Sequence, residues 1–147
     1  MKKIVSTMVI LGAVMAMPAH ASDNKVMLPI AGAMADNNAQ GRLGDSVKFY
    51  FGNQPTPKIL QKLGGDTTSQ KTNAFAKSNE KACNWVFLSD MLALEKRAKE
   101  LGANAVYNIV SNYDNIENSS DTEFECHVGG IMAGVAFKAQ FAKVSGN

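Results

Sequence analysis

The chain has 147 residues, the length of one ordinary domain, and 46% of them are hydrophobic, which is enough to form a real core. It carries 15 basic and 13 acidic residues, for a formal net charge of +2. The cations are scattered except for Lys96, Arg97 and Lys99, which lie among acids on a predicted helix. Nucleic-acid binding would call for a basic stripe, so this pattern argues against it.

The first 21 residues have the pattern of a bacterial secretory signal peptide. Lys2 and Lys3 precede an apolar run from Ile4 to Met17, and Ala19-His20-Ala21 forms a small-x-small cleavage site. An N-terminal anchor is the weaker alternative, because the run is shorter than the roughly 20 residues of a spanning helix. Cleavage after Ala21 leaves 126 of the 147 residues and removes two lysines, so 13 basic residues balance 13 acidic ones. We predict a neutral, soluble, periplasmic product without a membrane anchor.

The first part of the remaining chain gives weak patterns. Residues 22–46 are rich in Asn, Gly and Ala and predict a loosely ordered N-terminal arm, and residues 47–147 predict a single α+β domain. Apolar and polar residues alternate from Val47 to Phe51, which predicts a half-buried strand. A shorter strand is predicted from Lys58 to Leu63. The polar residues Asp66 to Asn73 fit either a loop or a strand exposed on both faces.

The helix is the clearest predicted element. Ser78 is a suitable N-cap, Gly102 is a suitable C-terminal stop, and apolar residues recur every three or four positions between them. This stripe comprises Cys83, Phe87, Met91, Leu94, Ala98 and Leu101. The first half is apolar nearly all round, so it is expected to be buried on more than one side, inside the domain or against a second subunit. Trp85, Leu88 and Leu92 are therefore the predicted interaction residues.

Three strand-like segments follow, at residues 104–113, 122–128 and 131–144, and they suggest a meander. The last places Ile131, Val135, Phe137 and other apolar residues on one face. Gly129-Gly130 fits a tight hairpin, and Gly134 fits a bulge or the close approach of another chain. The predicted fold class is α+β, with one long helix packed on an antiparallel sheet of four or five strands.

The two cysteines, Cys83 and Cys126, predict a disulfide, because the periplasm oxidises suitable pairs and both residues fall on predicted core faces. The alternative is a redox-active or metal-binding pair. A redox dithiol is more often a CxxC motif at an exposed helix start, so the structural bridge is favoured.

One weak alternative site lies beside Cys126. Glu123, Glu125 and His127 are expected on the outward face of their strand, where two carboxylates and an imidazole suit several divalent ions. A solvated strand face is the favoured interpretation, so no metal is predicted. His127 is the only histidine after cleavage, and the disulfide would occupy both thiols, so hydrolase chemistry has little support and we predict no enzyme.

A partial match to a phosphate-binding loop runs from Gly65 to Thr72. It has the Gly, Lys and Thr of that motif, but Gln70 stands where the second Gly is required. The compartment also lacks ATP. We interpret the match as a coincidence and predict no cofactor.

Several segments resemble small exported proteobacterial proteins that automatic annotation often names "excinuclease ATPase subunit". The segments are Lys81 to Leu88, Leu101 to Ile109 and Glu125 to Ala136, together with Val47 to Gly52 and Lys71 to Lys77. That name does not fit this sequence, since such an ATPase is a large cytoplasmic protein with intact phosphate loops and zinc modules. The helix and the following Gly-Ala-Asn-Ala-Val are more distantly similar to YbjQ-type domains and to the lipoprotein RcsF.

These similarities imply a compact α+β domain, often oligomeric in the YbjQ type, and in RcsF a disulfide-dependent sensor that works through protein contacts. RcsF-like proteins have four cysteines and a lipid anchor, whereas this chain has two cysteines and no lipidation site. The leading functional hypothesis is therefore a non-enzymatic periplasmic domain that binds an envelope protein or itself, through the helix start or a sheet edge. The alternative is a small-ligand or metal-binding protein.

Overall fold

The computed structural model describes residues 23–146, so the predicted signal peptide lies outside the described residues. The described chain forms an α+β fold with six strands, three α-helices and a short 3-10 helix at Tyr113–Asn115. In chain order the elements are β1 (Asn24–Pro29), α1 (Ile30–Ala35), α2 (Asn37–Arg42), β2 (Lys48–Phe51), β3 (Ile59–Asn73), α3 (Asn79–Leu101), β4 (Ala105–Ser111), β5 (Glu123–Val128) and β6 (Met132–Val144).

The strand β6 is the centre of the sheet. One edge of β6 pairs with β3 from Met132 to Val144, and the other edge pairs first with β5, at Ala133 and Gly134, and then with β4. β1 pairs with the far edge of β5, and β2 with the far edge of β4. The predicted meander is wrong, because β6 lies between β4 and β5 rather than beside β5 alone.

The sheet is mixed, which corrects the prediction of an antiparallel sheet of four or five strands. β2 and β4 run parallel, and the other pairs are antiparallel. Parallel neighbours need a long crossover connection, and the chain between β2 and β4 supplies one because it contains the 23-residue helix α3. The long helix itself is confirmed, with Ser78 capping Lys81 and Gly102 in the left-handed conformation at φ 72°.

The residues predicted to form a loose arm belong to the same domain instead. β1 pairs with β5 in continuous register from Asn24 to Pro29, and Val26 and Leu28 pack against the core. The short helix α1 then buries Ile30 and Ala33. The prediction failed because an edge strand obtains its order from its partner, and the composition of residues 22–46 carries no sign of that partner.

The core lies between α3 and one face of the sheet, which we call the inner face; the opposite face is the outer face. Phe51, Phe87, Phe124 and Phe137 pack together there, with ring centroids 4.6–6.0 Å apart. The disulfide between Cys83 and Cys126 joins α3 to β5 in this core, and both cysteines are fully buried. The predicted bridge is therefore confirmed.

Candidate functional site

The residues 65–72, which partly match a phosphate-binding loop, lie within β3. The prediction left open whether residues 66–73 form a loop or an exposed strand, and the structure resolves this in favour of the strand. An extended strand does not wrap its backbone amides around a phosphate, as the loop of that motif does. The interpretation of the match as a coincidence agrees with this geometry.

A polar cluster on the outer face surrounds His127. Its Nδ1 lies 3.0 Å from both carboxylate oxygens of Asp23, and its Nε2 lies 2.5 Å from Oε1 of Glu125. The ring stacks flat on Tyr113, with centroids 3.6 Å apart and planes 4° apart. Tyr113 fits because residue 134 beneath it is glycine, where a Cβ would lie 3.3 Å from the Tyr113 ring. The close approach at Gly134 is therefore made by Tyr113 of the same chain.

The carboxylate of Glu125 is largely buried and has several partners. Its Oε2 accepts a hydrogen bond from Asn118 at 3.1 Å and lies 3.2 Å from Nζ of Lys25. Partial burial alone would raise the pKa of Glu125, but the hydrogen bonds from His127, Asn118 and Lys25 outweigh it and lower that pKa. Burial opposes the charge on His127 as well, but Glu125 and Asp23 outweigh it and raise the pKa of the imidazole. The cluster therefore favours an imidazolium between two carboxylates.

This arrangement does not assemble the three candidate metal ligands predicted from the sequence. Glu125 and His127 bind each other, whereas Glu123 is exposed and lies nearer the start of β5. Among residues 23–146 no group of three His, Cys, Asp or Glu side chains is placed to hold a metal ion. Both imidazole nitrogens are occupied by carboxylates, so neither is placed to act as a base. The cluster instead joins β1 to β5 through side chains.

We expect the cluster to make the attachment of β1 depend on pH. His127 contributes fully to the stability of this attachment below its ordinary pKa of 6.5. That contribution is lost as the pH rises through the raised pKa of His127 in the fold. The contribution of Glu125 is full above its ordinary value of 4.5 and is lost as the pH falls through its lowered value. Hydrogen exchange of the amides of residues 24–28, corrected for intrinsic rates, should therefore be slowest between these two pH values.

A His127→Gln variant should exchange faster in β1 and lose the pH dependence above pH 6.5, because the charge between the two carboxylates is gone. Lys138→Gln is the matched control, since it removes an ion pair with Glu117 from the same face without touching β1. Equal exchange in wild type and His127→Gln would show that the cluster does not hold β1.

The three predicted interaction residues at the start of α3 have different environments. Leu88 is 3% exposed and is buried by its own domain, so it presents almost no surface to a partner, and Leu92 is half-buried. Trp85 is 39% exposed, and the guanidinium of Arg42 lies 5.0 Å from its ring centroid. It borders a cavity of about 510 Å³ that polar residues such as Asp36, Lys81 and Asn84 also line. The helices α1 and α2, which the sequence did not predict, border this part of α3.

A buried aspartate was missed by the sequence analysis. Asp90 is fully buried on α3, where its Oδ1 accepts a hydrogen bond from the Thr68 hydroxyl at 2.8 Å. Its Oδ2 has no hydrogen-bond partner within the described part of the chain. Desolvation raises its pKa from 3.8 to about 8, despite the opposing effect of the Thr68 hydrogen bond. The sequence did contain a sign that Asp90 is buried. Asp90 lies three residues after Phe87 and four before Leu94, and this helical spacing places it on the apolar stripe.

The free edge of β3 is the longest unpaired strand edge of the described residues. β3 has 15 residues and pairs only with β6, and α3 packs on its inner face. Only Lys62, Asp66 and Lys71 carry charge along it, and it contains no proline. Such an edge presents a row of backbone hydrogen-bonding groups to solvent.

Comparisons with known proteins leave these features to be interpreted from the residues alone. The chain matches no protein-family model, no curated protein and no solved structure. Within residues 23–146, no helix has both the length and the apolar character needed to span a membrane. The disulfide is consistent with an exported protein in an oxidising compartment.

Proposed function

We propose that this protein is a non-enzymatic, periplasmic interaction domain that binds an extended segment of an envelope protein along the free edge of β3. The single observation that carries this proposal is the long strand with one unpaired edge. Strand addition uses backbone hydrogen bonds for affinity and needs an accessible edge rather than a deep pocket. The distant resemblance to RcsF-type domains, which implies protein contacts, agrees with it.

The direction of the backbone groups in β6 indicates which residues of β3 face a partner. The carbonyls of Ala136 and Ala142 accept hydrogen bonds from Asn112 and Asn104, on the β4 side. Because successive residues of a strand direct their backbone groups to opposite edges, Val135, Phe137 and Ala139 of β6 bond to β3. Their partners in register are Gln70, Thr68 and Asp66. The alternate residues whose backbone groups face the free edge are therefore Thr67, Ser69 and Lys71. The Thr67 N–H group already donates to the Asp66 carboxylate at 2.8 Å, so the Thr67 carbonyl and the backbone groups of Ser69 and Lys71 remain for a partner.

The helix start supports the interaction less well than the sheet edge does. Leu88 is buried and Trp85 is partly covered by Arg42, so the apolar surface expected there is small. Along β3, by contrast, Thr67, Ser69 and Lys71 are exposed, and Asp66 on the inner face is paired with Arg97 at 3.3 Å. The free edge ends at Asn73, whose carbonyl accepts a hydrogen bond from Lys77.

Ser69→Pro tests this proposal. It removes an N–H group that faces the free edge, so the fold should keep its stability while strand addition is blocked. Ser69→Ala is the matched control, because it retains the N–H group. The thermal midpoints of both variants should stay close to that of wild type.

Binding is measured in the periplasm with a photo-crosslinking residue at Thr67, on the free edge, and separately at the exposed Ser119 as a control position. We expect a discrete crosslinked protein at Thr67 that is absent at Ser119, disappears with Ser69→Pro and persists with Ser69→Ala. A crosslink only to the protein itself would identify a second copy as the partner and correct the choice of an envelope protein. Equal crosslinking at both positions, or crosslinking unaffected by Ser69→Pro, would contradict the proposal.

A further inference from the structure

Three large apolar side chains are exposed together at one end of the sheet. Phe75 is 68% exposed, Ile131 is 65% exposed and Met132 is 42% exposed. They come from two adjacent turns, since Asn73 is opposite Met132 in the β3–β6 register and the Ala74 N–H group donates to the Ile131 carbonyl at 2.8 Å. We call Phe75, Ile131 and Met132 the apolar tip. Single exposed apolar residues are ordinary, but three in adjacent turns form a patch.

The turn that carries Phe75 is well ordered by hydrogen bonds. The Phe75 N–H group donates to the Asn73 side chain at 2.8 Å, and the Lys77 N–H group donates to the Ala74 carbonyl at 3.2 Å. Ala76 has a φ of 56°, in the left-handed region that residues other than glycine rarely adopt. These features define the backbone conformation on both sides of Phe75.

Lysines outnumber acids near the apolar tip. Residues 71–81 contain three lysines, Lys71, Lys77 and Lys81, and one acid, Glu80, while residues 128–133 contain no charged residue. Asp23 is a second acid at this end, since it precedes Asn24, which is opposite Val128. An apolar protrusion with lysines beside it complements a bilayer surface with anionic headgroups, which attract nearby lysines. A stable protein interface buries about 800 Å² on each partner, and three side chains on two turns supply only part of such an area.

We propose that the apolar tip inserts its side chains into the interface of a membrane with anionic lipid headgroups. This contact is separate from the free edge of β3, because it uses the turns at one end of the sheet and leaves Thr67 and Ser69 accessible. The two surfaces together would allow the protein to bind a partner segment while it lies at the membrane surface.

The test measures binding of the exported protein to lipid vesicles by flotation. The vesicles are phosphatidylethanolamine with phosphatidylglycerol, compared with neutral phosphatidylcholine. We expect binding to the anionic vesicles that weakens with salt. Phe75→Ser and Ile131→Ser should each lose at least about tenfold in binding, since each removes an apolar side chain that the proposed contact buries in the bilayer. Leu60→Ser is the matched control, because Leu60 is 61% exposed at the opposite end of β3.

A second measurement distinguishes the apolar tip from the N-terminal apolar run, which could itself bind vesicles if the exported protein retains it. A photoreactive probe in the bilayer should label residues 71–81 and 129–132 more than residues 58–63. Equal labelling of the two ends of the sheet would overturn the proposal. So would vesicle affinity equal to wild type in both Phe75→Ser and Ile131→Ser, if the two ends are also labelled equally. A dimer in native mass spectrometry that Phe75→Ser dissociates, without vesicle binding, would assign the apolar tip to a second copy instead and would also overturn it.

Discussion

Replacing both cysteines, Cys83→Ala with Cys126→Ala, is expected to lower the free energy of unfolding by about 4 kcal/mol. The bridge spans a sequence separation of 43 residues. In the chain-entropy model, closing a loop of that length lowers the entropy of the unfolded chain, and this stabilises the fold by about 4 kcal/mol. Since domains of this size are stable by roughly 5 to 15 kcal/mol, the loss is a large share of the total. Urea unfolding monitored by circular dichroism gives the free energy, and the thermal midpoint should fall by roughly 10 to 20 °C.

Reductant provides the control for this prediction. It should destabilise the wild-type protein and leave the double variant unchanged, since the variant has no cysteine and the wild type has only these two. An unchanged midpoint in the double variant would mean that the core around α3 and β5 holds the two elements together without the bridge.

Replacing the buried acid, Asp90→Asn, is expected to stabilise the protein at neutral and alkaline pH but not in acid. The pKa of Asp90 is about 8 in the fold, against 3.8 in the unfolded chain. Its contribution to the free energy of unfolding is therefore fully present below pH 3.8 and is lost as the pH rises through 8. A difference of about four pKa units corresponds to roughly 5 kcal/mol once the loss is complete, at 1.36 kcal/mol per unit. Asparagine keeps the acceptor for Thr68 and cannot ionise.

The measurement is the difference in unfolding free energy between Asp90→Asn and wild type at pH 4 and at pH 8. Taking the difference cancels the titration of His127 and Glu125, which both proteins share. The difference should be near zero at pH 4 and several kcal/mol in favour of the variant at pH 8. Asp66→Asn is the matched control, because it removes an exposed carboxylate from the same strand that carries Thr68. An equal difference at both pH values would show that Asp90 does not titrate between them.

The comparison of sequence and structure shows where local patterns are informative. The helix α3 was predicted because its cap residues and apolar spacing are local features, and Ser78 and Gly102 act in the structure as expected. The disulfide was predicted because Cys83 and Cys126 each fall on an apolar face of a recognisable element. Ile131 was wrongly placed on the buried face of β6, because alternation continues in the sequence past the point where the strand begins at Met132.

The candidate sites depend on contacts that no local pattern contains. His127 was correctly placed on the outer face, but its partner Asp23 lies 104 positions away and belongs to a segment predicted to be loose. The free edge of β3 exists only because β6 pairs with β3 on one side and with β4 and β5 on the other. The apolar tip likewise requires that two turns far apart in sequence meet at Ala74 and Ile131.

The sequence by itself therefore determined the α+β class, the long helix, the buried cysteine pair and the prediction of export, since each was inferred from patterns that are local to individual segments. Only the tertiary structure decided the parallel pairing of β2 with β4, the inclusion of β1 in the sheet, the burial of Leu88 and the exposure of the β3 edge. The physical reason is that hydrophobic burial and strand pairing are satisfied between distant segments, and many pairings are compatible with the same local alternation.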